Sequence, residues 1–261
     1  MYFELKKAIY YSIPEIQNRH QHLMTQDSGL KTISILQPVL IPNLHDLAVM
    51  LAADLVVLQD NEPWSRKGRV HRAKIRTPEG TQYLNIPVRT EDRKKPINKV
   101  RIDHSRKWIS EILRALKFNY RNSVYYDFYE PEIRADFESA AEYEFLFPFA
   151  LYLRKRVFQF LEIDLRADII LSSELEVYDS DPDQLAKNLN ADVYYQEPGA
   201  RHYQRQGKNR SELSFTHPVY RQHFEGFEPD CCLLDLLFQY GPESFRVIDE
   251  LQKPPPGVRT K

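Results

Sequence analysis

Four polar strand exits are the first residues in this chain that could do chemistry. Gln37 follows Ile33-Ser34-Ile35-Leu36, and Gln59-Asp60 follows Leu55-Val56-Val57-Leu58. Ser172-Ser173 follows Ile169-Ile170-Leu171, and Gln196-Glu197 follows Val193-Tyr194-Tyr195. In an open α/β sheet, ligands sit beyond the C-terminal ends of the strands, so these positions are selected before any motif is invoked. Gln37 and Asp60 end two strands of one strand–helix–strand unit and are expected to share a crevice. Between them, Asn43 has the character of an N-cap, and His45 falls in the first turn of the helix that follows. A helix start attracts anions, and an imidazole there can donate to a phosphate or carboxylate, or exchange a proton. Gln37, His45 and Asp60 are the candidate catalytic residues.

The candidate substrate-binding residues lie in a basic run. Between residues 64 and 107 there are 14 Lys and Arg against 4 Asp and Glu, in a chain whose formal net charge is −1. Arg72, Lys74 and Arg76 alternate, so a strand places them on one face, where they repel unless anions compensate. Arg72, Lys74 and Lys67 are the expected ligands of a negative group, with Asp60 facing that run. Acid is concentrated elsewhere, notably in residues 125–144, which hold seven acids and Arg134 alone. A nucleic-acid partner is disfavoured by the neutral total. A small anionic substrate fits the pattern better, and a non-catalytic module binding an anionic glycan or nucleic acid through residues 64–107 is the alternative.

Other chemistries find little support. No glycine-rich phosphate loop and no G-x-S-x-G elbow is present. His202, His217, His223 and Asp235 have no standard metal spacing, and no metal is expected. Cys231 and Cys232 are adjacent and cannot staple distant segments. No cofactor is predicted, though a nucleotide or nucleotide sugar is a reasonable ligand. No apolar run reaches the roughly 20 residues of a membrane span. The N-terminus lacks the pattern of a secretory signal, so a cytoplasmic location is expected.

The elements that must position these residues follow from periodicity. Three times a helix leads through Ala-Asp into a short apolar strand: at Ala53-Asp54, Ala167-Asp168 and Ala191-Asp192. Repeated arrivals of this kind predict an α/β fold with a mostly parallel, Rossmann-like sheet and helices on both faces. A hairpin around Pro78-Glu79-Gly80 interrupts it. Trp108, Ile109, Ile112, Leu113 and Leu116 mark an amphipathic helix that opens a helical insertion at about 104–165. The domain is expected over residues 31–250, preceded by an arm at 1–30 with a short helix near 14–23. A flexible proline-rich tail is expected at 251–261.

Taken together, these residues resemble the WbqC-like protein family. Gln37-Pro38, Pro42, a short helix, Ala53-Asp54, Val57 and Asp60 resemble its opening. Ser65-Arg66-Lys67, Arg72, Ile75-Arg76, Gly80 and Leu84-x-Ile86-Pro87-Val88 resemble its basic segment and the strand after it. Pro218-x-Tyr220-x-Gln222, Phe227-x-Pro229 and Leu234-Asp235-Leu236-Leu237-Phe238-x-x-Gly241 resemble its close, which adds Tyr220 and Gln222 to the substrate-binding candidates and predicts that they approach Gln37 and Asp60. The chain departs from the family at Asn43-Leu44-His45-Asp46, Asn61, His71-Arg72-Ala73-Lys74 and Gln239. The resemblance implies a bacterial protein of surface-polysaccharide or other biosynthesis. The opening unit is also distantly similar to nucleotidylyltransferases, with His45 at the position of their histidine motif. The expected activity is that of a transferase acting on a phosphate- or carboxylate-bearing activated substrate, with acyl, glycosyl and nucleotidyl transfer all open. The oligomeric state is not encoded in any of these features.

Overall fold

The computed structural model describes residues 31–197 and 200–252. The expected arm and its short helix lie outside the described residues, as does the tail beyond residue 252. Four strands form the central sheet: β1 (Thr32–Leu36), β2 (Leu55–Leu58), β5 (Asp168–Leu171) and β6 (Val193–Gln196), in the order β5-β2-β1-β6. Every pairing is parallel, with Ile33 opposite Leu55 and Tyr194, and Leu55 opposite Asp168. β3 (Arg72–Thr77) and β4 (Gly80–Asn85) make a separate antiparallel hairpin. Gly80 supplies the positive φ of 127° that its turn requires.

Alternation along the strands sorts their side chains between two cores. Ile33, Ile35, Leu55, Val57 and Ile170 pack on Leu185 and Ala186 of helix α5 (Pro182–Asn188) and on Leu189, which caps it. Leu36, Val56, Leu58 and Leu171 face the opposite way, into the larger core. There they meet helix α1 (Leu44–Leu51), whose Val49 carbonyl accepts from Ser34 Oγ at 2.6 Å. The same core takes in residues of α2 (Trp108–Tyr120), α3 (Tyr126–Glu138) and α4 (Leu146–Phe160), which occupy the expected insertion. The chain closes with α6 (Leu233–Tyr240) and α7 (Phe245–Ile248). The fold is α/β with helices on both faces of a parallel sheet.

The order of the strands sets where a crevice opens. The chain moves outward from β1 to β2, and β5 adds beyond β2. It then returns through α5 to place β6 on the other side of β1. The winding therefore reverses between β1 and β6, and that switch is where doubly wound sheets leave room for a ligand.

Candidate functional site

A cavity of about 170 Å³ lies at the carboxyl end of the sheet beside this switch. Asn43, His45 and Asp46 of the α1 start line it, with Glu197 just past β6. Arg69, Arg72, Lys74 and Tyr83 come from the basic segment, and Asp230 and Cys232 from the chain before α6. Backbone bonds join these segments: Cys232 N–H donates to the Lys74 carbonyl at 2.7 Å, and Leu233 N–H to that of Pro42 at 2.8 Å.

The start of α1 is held by a reciprocal cap. Asp46 N–H donates to Asn43 Oδ1, and Asn43 N–H to Asp46 Oδ2, each at 2.9 Å. Asp46 also accepts from Arg69, whose Nη1 lies 2.9 Å from Oδ2 and whose Nη2 bonds Oδ1. The same Nη2 is 2.8 Å from Glu197 Oε1, which also accepts from Tyr203 Oη. Burial by itself would lower the Arg69 pKa, but the carboxylates of Asp46 and Glu197 overcome this and hold the guanidinium above its usual range. Burial pushes the Glu197 carboxyl upward, against the pull of Arg69. Through its two Nη atoms Arg69 ties the helix start to the exit of β6, although its buried Nε has no hydrogen-bond partner.

Arg72 stands differently. Its Nη2 donates to the Lys67 carbonyl at 2.6 Å, and its guanidinium lies 4.5 Å from the centroid of the Tyr83 ring. Among the described residues no carboxylate pairs with it, and its buried Nε has no hydrogen-bond partner. Lys74 Nζ is 3.6 Å from Asp230 Oδ2, a loose pair with its acid half exposed. Arg76, third in the alternating row, is buried and gives its guanidinium to the carbonyls of Thr77, Gly80 and Glu225. Two of the three alternating cations therefore reach the cavity, and the third is spent on backbone.

His45 stacks on Phe215, with ring centroids 4.3 Å apart and planes 10° from parallel. Burial lowers its pKa below 6.5, while Asp46 and Asp230 oppose the shift and Arg69 adds to it. Burial thus favours the neutral form of the imidazole.

The other sequence candidates are placed elsewhere. Asp60 is buried between the exits of β2 and β5, and not opposite Arg72. Its carboxylate accepts from Asn98 Nδ2 at 2.9 Å, Ser172 Oγ at 3.1 Å, Ser173 N–H at 2.9 Å and Ser173 Oγ at 2.6 Å. Gln37 is buried and donates to the Tyr203 carbonyl at 2.8 Å. It acts with two other strand-end glutamines. Gln59 Oε1 accepts from Gln204 at 2.7 Å, and Gln196 donates to the Arg205 carbonyl at 2.9 Å. Together they clamp the loop that carries Tyr203, and so position Glu197. Lys67 is exposed and contributes its carbonyl to Arg72.

Tyr220 and Gln222 gather around Asp235 rather than around Gln37 and Asp60. Tyr220 Oη at 2.8 Å and Gln222 Nε2 at 3.0 Å donate to Asp235 Oδ2, and Tyr120 Oη donates to Oδ1 at 2.8 Å. Burial raises the Asp235 pKa, which these three bonds and Arg76 counter. Since Tyr120 also accepts from Arg76 N–H at 3.0 Å, the network braces β3 and α6 from behind the cavity.

The same segments stand out in comparison with known proteins. A model of the WbqC-like protein family matches residues 37–247, from the clamp glutamine to α7. The chain belongs to the WbqC-like protein family. It is also 27% identical over 231 residues to the uncharacterized protein Rv1507c of Mycobacterium tuberculosis, covering 82% of this chain and 96% of that one. No solved structure matches it. In this WbqC-like chain the departures at residues 43–46 and 71–74 line or adjoin the cavity. Those at Asn61 and Gln239 sit by Ser172 and Ser123.

Sequence reasoning missed Arg69 and Asp46. A signal for Asp46 existed, since an acid three residues after Asn43 is a capping-box spacing. None distinguished Arg69 from Arg72. Among the described residues no group of three or more His, Cys, Asp and Glu is placed to hold a metal ion, and no helix is long and apolar enough to cross a membrane.

Proposed function

We propose that this protein is a transferase-type enzyme of polysaccharide or specialised-metabolite biosynthesis, acting on a phosphate- or carboxylate-bearing activated substrate. The observation that carries the reading is Arg72: a cation without a carboxylate partner among the described residues, in the same cavity as a neutral imidazole. Family membership supports the biosynthetic setting. An anion entering the cavity gains the planar donor fork of Arg72 and the ammonium of Lys74. His45 then takes the proton of an acceptor hydroxyl or amine as its lone pair attacks the activated centre. The bond to the leaving group breaks, and its electron pair departs on the anionic oxygen held by Arg72 and Lys74. Arg69, Asp46, Glu197 and the glutamine clamp hold the walls in place and do not touch the reacting atoms. Acyl, glycosyl and nucleotidyl transfer all fit this division of labour.

Placement in a concavity also bears on the alternative, because a module gripping an extended polyanion gains most from cations on an open face. The test is a panel of nucleotides, nucleotide sugars and acyl phosphates, screened by thermal shift and then by turnover. A stabilising ligand whose effect disappears in Arg72→Ala, and whose turnover but not binding is lost in His45→Ala, supports the reading. Binding only to long polyanions, unchanged in Arg72→Ala, contradicts it.

A further inference from the structure

Tyr83 lines the cavity but takes no part in the reading above. On β4 it stands opposite Lys74 of β3, and Arg72 lies two residues before Lys74, so all three side chains share one face of the hairpin. The Arg72 guanidinium covers one side of the Tyr83 ring. The residue nevertheless stays 44% exposed, and among the described residues no other ring stacks on it and nothing hydrogen-bonds its hydroxyl. Every other residue lining the cavity is buried or half-buried. A lone exposed aromatic is ordinary on a protein surface, but this one stands at the rim of a charged cavity, against whatever enters.

Size adds a second observation. The cavity holds about 170 Å³, short of the roughly 300 Å³ at which pockets begin to enclose a whole small molecule. It has room for a charged head group, and the body of an activated substrate stays at the rim. There Tyr83 offers a flat apolar face whose back is held by Arg72. A guanidinium stacks through its face and donates through its edge, so holding the ring and binding an anion do not compete.

We propose that Tyr83 is the platform for the base of a nucleotide whose phosphate enters the cavity. The inference rests on the reading of Arg72 and Lys74 as the partners of the anion, and it narrows that reading: the activated substrate is a nucleotide or a nucleotide conjugate, not a simple acyl phosphate. Base, tyrosine and guanidinium form one stacked column, with the phosphate beside Arg72 and Lys74. Every base has a π face, so a stacking platform favours nucleotides over sugar phosphates while discriminating little among the bases.

The test is calorimetric titration of the full chain with adenosine monophosphate, uridine monophosphate, ribose 5-phosphate and inorganic phosphate. The two nucleotides and ribose 5-phosphate carry the same phosphate ester, so the base is what separates them. Wild type should bind both nucleotides about tenfold or more tightly than ribose 5-phosphate. Tyr83→Ala should erase that preference and leave the affinities for ribose 5-phosphate and inorganic phosphate nearly unchanged, because Arg72 keeps its bond to the Lys67 carbonyl. Tyr83→Phe should keep the preference, and Tyr83→Leu, which retains apolar bulk without a π face, should lose it. Thermal melting checks that each variant is folded, as expected at an exposed position. No preference in wild type, or one that survives Tyr83→Ala and Tyr83→Leu, overturns the proposal. So does a loss of inorganic phosphate binding in Tyr83→Ala that parallels the loss of nucleotide binding, since the ring then serves only to hold Arg72. Arg72→Ala separates the platform from the reading it rests on. If that variant binds inorganic phosphate as wild type does, the anion site is wrong whatever Tyr83 does. If phosphate binding needs Arg72 but nucleotides gain nothing from Tyr83, the platform alone fails. A wild type that binds none of the four compounds overturns both.

Discussion

Two polar clusters sit at the same edge of the same sheet, and they are built on opposite plans. Between β2 and β5, the Asp60 carboxylate is surrounded by neutral donors from Asn98, Ser172 and Ser173, and its hydrogen-bonding capacity is filled. Past the exit of β6, beside the start of α1, the cavity holds Arg72, which has no carboxylate partner among the described residues. The difference follows topology. β2 and β5 are wound in one direction, so the chain leaving them can fold over and close the gap. β1 and β6 straddle the reversal, and there the segment after β6 is clamped over the strand ends by Gln37, Gln59 and Gln196 while the cavity opens beside it. A charge matched by opposite charges or by a full set of donors is a fastener, whereas a cation facing a cavity without a carboxylate is available to a ligand.

The contrast is sharpest within the cavity itself, where Arg69 and Arg72 are three residues apart. Arg69→Ala should cost most, about 3–5 kcal/mol, because it strands the carboxylates of Asp46 and Glu197 in a buried setting. Chemical denaturation measures this, and a loss below about 1 kcal/mol would show that Arg69 is no fastener.

A pH dependence comes next. His71 is buried beside Trp64, and burial, assisted by Arg72, lowers its pKa to about 4. The folded state therefore binds fewer protons than the unfolded state between about pH 4 and 6.5. Stability is complete above that window and is lost as pH falls through it, by up to roughly 3 kcal/mol. His71→Phe should flatten the profile, and an equally steep acid loss in that variant would assign it elsewhere.

Asp60→Ala should cost about 2–3 kcal/mol by leaving Asn98, Ser172 and Ser173 donors without an acceptor. Ligand affinity should stay nearly unchanged. Were the variant stable but unable to bind, Asp60 would belong with the ligand site after all. The smallest effect on stability is expected of Arg72→Ala, within about 0.5 kcal/mol, since no carboxylate among the described residues depends on it.

The fold was legible because its signals are local. Short apolar runs after Ala-Asp, the Asn43 cap and Gly80 each act within a few residues, and the parallel sheet follows from repeating them. The site was legible only in part. His45, Arg72 and Lys74 line one cavity, the first placed there by the helix start after Asn43 and the other two by alternation along β3. Arg69 and Arg72 have the same side chain in the same basic run, and their fates diverge only through Glu197, far along the chain. The expected approach of Asp60 to Arg72 did not occur, because Ser172 and Ser173 from β5 reach Asp60. Tyr220 and Gln222 were expected near Gln37. The segment that carries them has no helical or strand periodicity, so nothing in the sequence indicated that Asp235 would collect them.

The central claim is that Arg72 is held for a ligand and not for the fold. Its most direct test is calorimetric titration of wild type and Arg72→Ala with the ligand that stabilises the protein best in the panel of phosphorylated compounds, alongside denaturation of both proteins. The account predicts a loss of affinity of about 100-fold, typical of removing one charged partner of a bound anion, with stability the same within error. Equal affinity in the two proteins, or a parallel loss of stability, would contradict it.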